Sequence, residues 1–159
     1  MPFSLKDLGL VDTISVSTGN NYIMALDSGT TSVRAVIVDE YGCIVAQASK
    51  PLKTICPHPG WVEQDPMEIL ASQIAVMMEV QFKSGIHSDS IAAIGISNQR
   101  ETALVWDRDT GLPVYDAIVW QCARGAKICE GLSDYAEMVR EHTGLRLSPY
   151  FSAAKIAWV

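Results

Sequence analysis

A chain of 159 residues is long enough for one domain with a buried core and short for two. A formal net charge of −6 argues against a basic groove for nucleic acid, and 48% hydrophobic residues is somewhat more than a soluble domain usually carries, so some apolar surface is expected to await a partner. Cys43, Cys56, Cys122 and Cys129 form no C-x-x-C pair and do not cluster with the histidines, which reads as four buried, reduced thiols of a cytosolic protein rather than a zinc site.

Residues 1–20, MPFSLKDLGLVDTISVSTGN, lack the continuous apolar core of a secretory signal and read as an N-terminal extension to a domain at 21–159. No run in the chain approaches the ~18 apolar residues of a membrane span. Tyr22–Leu26, Val33–Asp39 and a run starting at Ile44–Ala48 are β-compatible and closely linked, which predicts an antiparallel meander. The first two are apolar on both faces, which suggests a sheet covered on both sides. Prolines at 51, 57 and 59 make the next stretch a loop. Asp65, Pro66 and Glu68 then form a helix start of the capping-box type. Met67, Leu70, Ile74, Met77 and Met78 follow at helical spacing, so this face is expected to be core, with the helix running to about Lys83 before Gly85.

Ile91–Ser97 reads as a buried strand, parallel to its neighbour because a helix precedes it. Ala103–Trp106 and Val114–Trp120 read as further strands around the turn DRDTGLP, and Arg124–Leu132 and Ala136–His142 as helices, the latter capped by Gly144. FSAAKIAWV starts as a helix with Ser152 as cap and stops on Trp158 and Val159, which reads as a truncated chain or an end that packs on something else.

Three stretches carry chemistry. In DSGTTSVR (27–34), a glycine turn between two strands can gather backbone N–H groups into an anion-binding concavity, and Thr30, Thr31 and Ser32 add hydroxyl donors. Asp27 at the strand end can hold a hydrated Mg²⁺, and Arg34 can neutralise a phosphate. The other reading is an ordinary hairpin turn; no P-loop and no G-x-G-x-x-G is present. In NQRE (98–101), Arg100 and Glu101 are either a structural ion pair or a pair that recognises substrate hydroxyls, Arg donating and Glu accepting. Trp120 and Tyr150 are either core aromatics or the face and hydroxyl of a polyol pocket. Trp61, Trp106 and Trp158 read as structural.

Taken together, ALDSGTTSVRAV, PGWVEQDPMEI, IAAIGISNQRET, AIVWQCAR and SPYFSAAK, in this order, resemble the FGGY carbohydrate kinases, and within them the glycerol-phosphorylating branch. The resemblance runs from Tyr22 to the last residue. It implies an α/β fold of the RNase H-like type found in the actin, hexokinase and Hsp70 superfamily, a mixed sheet with an antiparallel meander and flanking helices. It implies ATP and Mg²⁺ as phosphoryl donor, glycerol as acceptor, and a cytoplasmic protein. Carried over residue by residue, Thr30, Thr31 and Ser32 are phosphate contacts, Arg34 is a nucleotide contact and Asp27 lies near the metal. Arg100, Glu101 and Tyr150 bind glycerol, and Trp120 lines its pocket.

The family's catalytic base, in a later DQ motif, and its adenine pocket belong to a second domain missing from this chain. No catalytic residue is therefore assigned here, and the chain alone is expected to have no appreciable kinase activity. Its apolar surface is expected to meet that second domain or to drive a homodimer. Ser28, Val33, Ala123, Ala153 and Ala154 depart from the pattern of that branch, which leaves open a kinase for another sugar or polyol. A non-catalytic module that binds a polyol or a protein is the reading from a different class, with the end at Trp158 as a partner surface.

Overall fold

The computed structural model describes residues 21–159, so the expected extension at 1–20 lies outside the described residues. β1 (Tyr22–Ser28), β2 (Ser32–Val38) and β3 (Ile44–Pro51) form the expected antiparallel meander. The two-residue β4 (Glu63–Gln64) leads into α1 (Pro66–Ser84), which carries the chain across to β5 (Ile91–Asn98), parallel to β1. The four-stranded sheet has the order β3-β2-β1-β5. β6 (Ala117–Ile118) pairs with β4 in a small second sheet, and α2 (Ala126–Gly131), α3 (Ala136–Thr143) and α4 (Ser152–Trp158) follow.

The ends of α1 are written in its sequence. Asp65 Oδ1 accepts from Met67 N at 2.8 Å, satisfying a donor that the first turn leaves open. Gly85 sits at φ 66°, a left-handed conformation that glycine adopts without a Cβ penalty, and its N–H closes on the Gln81 carbonyl. The buried side of α1 differs from the expectation. Ser72, Val76 and Val80 are buried against β2 and β3, with Ile69 and Met77 beside them, whereas Met67, Leu70, Ile74 and Met78 are exposed. The helix carries two apolar flanks nearly half a turn apart, and the sheet takes the one with the compact valines.

Alternation along the strands then fixes the core. Met24 and Leu26 of β1 and Val33, Ala35 and Ile37 of β2 point to the α1 side and are buried. The opposite face is open, with Ile23 45% exposed, and β5 is exposed nearly along its length, Ile96 at 76%. A sheet covered on both sides is therefore not what the described residues form: α1 spans β2 and β3, and none of the described elements covers the other face or β5. Ala103–Trp106 also differs from its expectation. It makes only single bridges, Ala103 to Ile118 and Trp106 to Pro113, because the turn at Asp107–Gly111 and the missing N–H of Pro113 interrupt the ladder.

Of the thiols only Cys122 is buried. Cys129 is half-buried and Cys43 and Cys56 are exposed, all four free. The chain end is also reassigned. Phe151, not Ser152, occupies the cap position of α4, and Trp158 packs edge-on against Trp61 at 5.1 Å and Tyr115 at 5.2 Å, so the partner expected for Trp158 lies within the domain.

Candidate functional site

β1 and β2 are joined through Gly29, Thr30 and Thr31, with Gly29 N–H donating to Ser32 O at 3.1 Å. A Cβ on Gly29 would lie 2.9 Å from that same backbone oxygen, so the turn can close this tightly only around glycine. The N–H groups of Thr30 and Thr31 donate to no backbone partner among the described residues.

The turn is held from behind by a closed hydrogen-bond circuit. Gln64, fully buried on β4, donates Nε2 to Thr30 O at 2.7 Å. Gln99 Nε2 donates to Gln64 Oε1 at 2.9 Å and to Gly29 O at 3.3 Å. Thr102 Oγ1 donates to Gln99 Oε1 at 2.9 Å and accepts from Trp120 N at 3.3 Å. The indole Nε1 of Trp120 donates to Thr30 Oγ1 at 3.0 Å and returns the circuit to the turn. The indole occupies an acceptor position of the Thr30 hydroxyl and leaves its proton to donate.

In front of this circuit lies a cavity of about 270 Å³ lined by Gly29, Thr30, Asn98, Gln99, Arg100, Trp120 and Tyr150. Four predicted site residues from four separate stretches, Thr30, Arg100, Trp120 and Tyr150, thus converge on one space. The rings of Trp120 and Tyr150 meet edge-on at 5.9 Å. Glu101, next in the chain to Arg100, is not part of the lining: it is the one non-glycine described residue with positive φ, 64°, and its Oε2 accepts from Ser152 N at 2.8 Å and Ser152 Oγ at 2.9 Å. This answers the structural alternative for NQRE in part, since the partner of Glu101 is the start of α4 rather than Arg100. Buried Lys155 donates Nζ to the carbonyls of Tyr150 and Phe151, and burial pulls its pKa below the ordinary lysine value against the opposing pull of Glu101.

Thr31, Ser32, Arg34 and Asp27 lie outside the lining of that cavity. Thr31 is exposed on the turn and Ser32 begins β2. Asp27 and Arg34 face each other in register across β1 and β2, both exposed, and the Arg34 carbonyl accepts from Gln73. Among the described residues no three His, Cys, Asp or Glu side chains converge as a metal cage. A single exposed carboxylate such as Asp27 at the end of β1 does fit a hydrated Mg²⁺, which takes few protein ligands and keeps its waters.

Two features escaped sequence reasoning. The first is the amide pair Gln64–Gln99; its only signal is a glutamine at a position destined for full burial. The second is a buried ion pair, Arg124 to Glu63, in which Tyr115 O–H also donates to Glu63 at 2.8 Å. The guanidinium lies over Trp61 at 4.1 Å and Trp158 at 4.6 Å, which accounts for a buried Nη1 with no hydrogen-bond partner. Burial alone would lower its pKa, but bonds to Cys122, Glu63 and Tyr115 more than offset that and hold Arg124 charged. The alanines that depart from the family pattern fall outside the cavity: Ala154 packs on Gly125, and Ala153 lines a separate apolar groove between α2, α3 and α4.

Comparison with known proteins gives the family of the chain. The family described as "FGGY family of carbohydrate kinases, N-terminal domain" matches residues 22–159. A glycerol kinase of Psychromonas ingrahamii is 56% identical over 148 residues, covering 89% of this chain and 29% of the relative. One of Shewanella sp. (strain ANA-3) is 55% identical over 143 residues, covering 87% and 28%. The crystal structure of Plasmodium falciparum glycerol kinase with ADP superposes with a TM-score of 0.78 at 36% identity, again over 87% of this chain and 28% of that one. The chain thus spans less than a third of the length of the relatives it matches, and the expected actin/hexokinase-like α/β fold holds. By the match across residues 22–159, the chain belongs to the FGGY family of carbohydrate kinases, phosphotransferases of which it represents the N-terminal domain.

Proposed function

We propose that this chain is the N-terminal portion of an ATP-dependent glycerol kinase, which transfers a phosphoryl group from MgATP to a glycerol hydroxyl. The observation that carries the reading is the cavity in which Thr30 of the glycine turn meets Arg100, Trp120 and Tyr150. It is small and polar, as a three-carbon polyol next to a phosphoryl group requires, and its aromatic wall suits the CH edge of glycerol.

In this reading the N–H and hydroxyl groups of Thr30, Thr31 and Ser32 hold phosphate oxygens, and Arg34 offsets their charge. Asp27 holds a water of the Mg²⁺ that accompanies the nucleotide, an ion that bridges phosphoryl oxygens and neutralises developing charge. Arg100 donates to glycerol oxygens. Glu101, with Oε2 held by Ser152, accepts from a glycerol hydroxyl through Oε1, and the Tyr150 hydroxyl fixes orientation. The portion of the relatives that this chain does not span supplies the catalytic base and the adenine pocket, so the chain by itself turns over no substrate. The exposed thiols of Cys43 and Cys56 suit a cytoplasmic setting. With Ala153 and Ala154 outside the cavity, the ground for a different polyol weakens.

Titrating the chain with glycerol and following the Trp120 indole N–H by NMR tests the pocket. A saturating shift that Arg100→Ala abolishes is expected. No indole response at molar excess of glycerol overturns the pocket assignment.

A further inference from the structure

The glycine turn contains a contradiction that its own sequence does not resolve. To hold phosphate, its N–H groups must face out; yet backbone bonds reach only the ends of the turn, Gly29 N–H donating to Ser32 O at 3.1 Å and Thr31 O accepting from Leu52 N at 3.0 Å, and leave the Gly29–Thr30 and Thr30–Thr31 peptide planes unfixed. In a planar trans peptide the carbonyl and the following N–H point in opposite directions. Fixing one carbonyl therefore aims one N–H. Side chains fix the carbonyls of those two planes: Gly29 O accepts from Gln99 Nε2 at 3.3 Å and Thr30 O from Gln64 Nε2 at 2.7 Å. The N–H groups that belong to those same two peptide planes are those of Thr30 and Thr31, which have no backbone acceptor among the described residues.

We propose that Gln64 and Gln99 are the positioning residues of the phosphate turn: they hold the Gly29 and Thr30 carbonyls inward and so aim the Thr30 and Thr31 N–H groups outward at a phosphoryl group. The inference rests on the phosphate role of the turn given above and adds two residues to it. The amides are themselves oriented without ambiguity. Gln99 uses one hydrogen on Gly29 O and the other on Gln64 Oε1, while its Oε1 accepts from Thr102, so neither amide can flip without losing a bond. Thr102 in turn accepts from the Trp120 backbone, and the Trp120 indole donates to Thr30, so the wall of the cavity and the turn share one circuit. A buried glutamine with no such task would be a poor choice for a core position, since an amide is stabilising there only when both of its ends are paired.

The test uses the full 159-residue chain, with MgADP as probe and Gln64→Met and Gln99→Met as near-isosteric variants that lack the donors. Residual dipolar couplings report the direction of each N–H, and amide shifts report MgADP binding. In the unaltered chain the Thr30 and Thr31 amides shift on adding MgADP. In either variant the N–H vector of the affected peptide is expected to turn while those of β1 and β2 stay, with MgADP affinity lower by at least about tenfold, the order of one lost charge-assisted hydrogen bond. Val76→Ala, a core change remote from the turn, lowers the melting temperature and leaves both readouts unmoved, which separates positioning from general stability. Variants that keep the unaltered vectors and affinity overturn the inference while the phosphate reading stands. An unaltered chain whose Thr30 and Thr31 amides ignore MgADP overturns the phosphate reading, and the inference with it.

Discussion

Asp116 shows at the level of one residue how local charge and burial set stability. Burial raises its pKa above the ordinary 3.8, and the negative neighbours Glu63 and Asp65 raise it further against the pull of Arg124. The folded chain therefore holds this proton to higher pH than the unfolded chain. Stability from the group is complete below its ordinary value and is lost as pH rises through the raised one. Asp116→Asn keeps the shape and removes the charge, so it is expected to raise the melting temperature at pH 7, with the advantage shrinking as the pH falls toward 4. A lower melting temperature at pH 7 would mean that the carboxylate has a favourable partner. Chemistry of this kind was only partly legible in the sequence. Thr30, Arg100, Trp120 and Tyr150 were readable because hydroxyl, guanidinium and aromatic groups in short conspicuous motifs suggest a ligand. The left-handed backbone of Glu101 and its bond to Ser152, 51 positions away, depend on a fold that no local pattern encodes.

At the scale of elements, the meander and α1 follow from local rules: alternation, short turns, an aspartate cap and a glycine stop. The choice of α1 face did not, because two apolar flanks compete and only the partner sheet decides between them. The two-residue β4 is too short to carry a period, yet it supplies Glu63 to Arg124 and Gln64 to the turn, and so ties α4, the loop at 52–61 and the glycine turn together. Arg124→Met leaves Glu63 buried without its cation. An expected loss of about 3–5 kcal/mol follows, the usual cost of a buried charge stripped of its partner, measurable as a lower urea midpoint at unchanged slope. Removing both charges with Arg124→Met and Glu63→Leu is expected to recover most of it. A single variant as stable as the unaltered chain would reduce the pair to a surface-like contact.

For the whole molecule, the open side of the sheet matters most. Among the described residues β5 has a free edge; it carries no charged residue from Ile91 to Asn98, and Ile94 and Ile96 are exposed. Such an edge has none of the charges or prolines that discourage pairing with another strand. The chain is expected to self-associate with rising concentration in sedimentation velocity, and Ile96→Lys to shift it toward monomer; an unaltered chain that stays monomeric would mean the face is adequately solvated. The central claim, that residues 22–159 are the glycerol-binding and phosphate-gripping portion of a kinase, is tested most directly by completing it. A chimera in which they replace the matching 28% of the Shewanella sp. (strain ANA-3) glycerol kinase is assayed by coupled ADP release. The account predicts glycerol-dependent release by the chimera and none by the 159-residue chain alone. A folded chimera that binds MgADP but releases ADP no faster with glycerol than without it, or that prefers gluconate or xylulose, would contradict it.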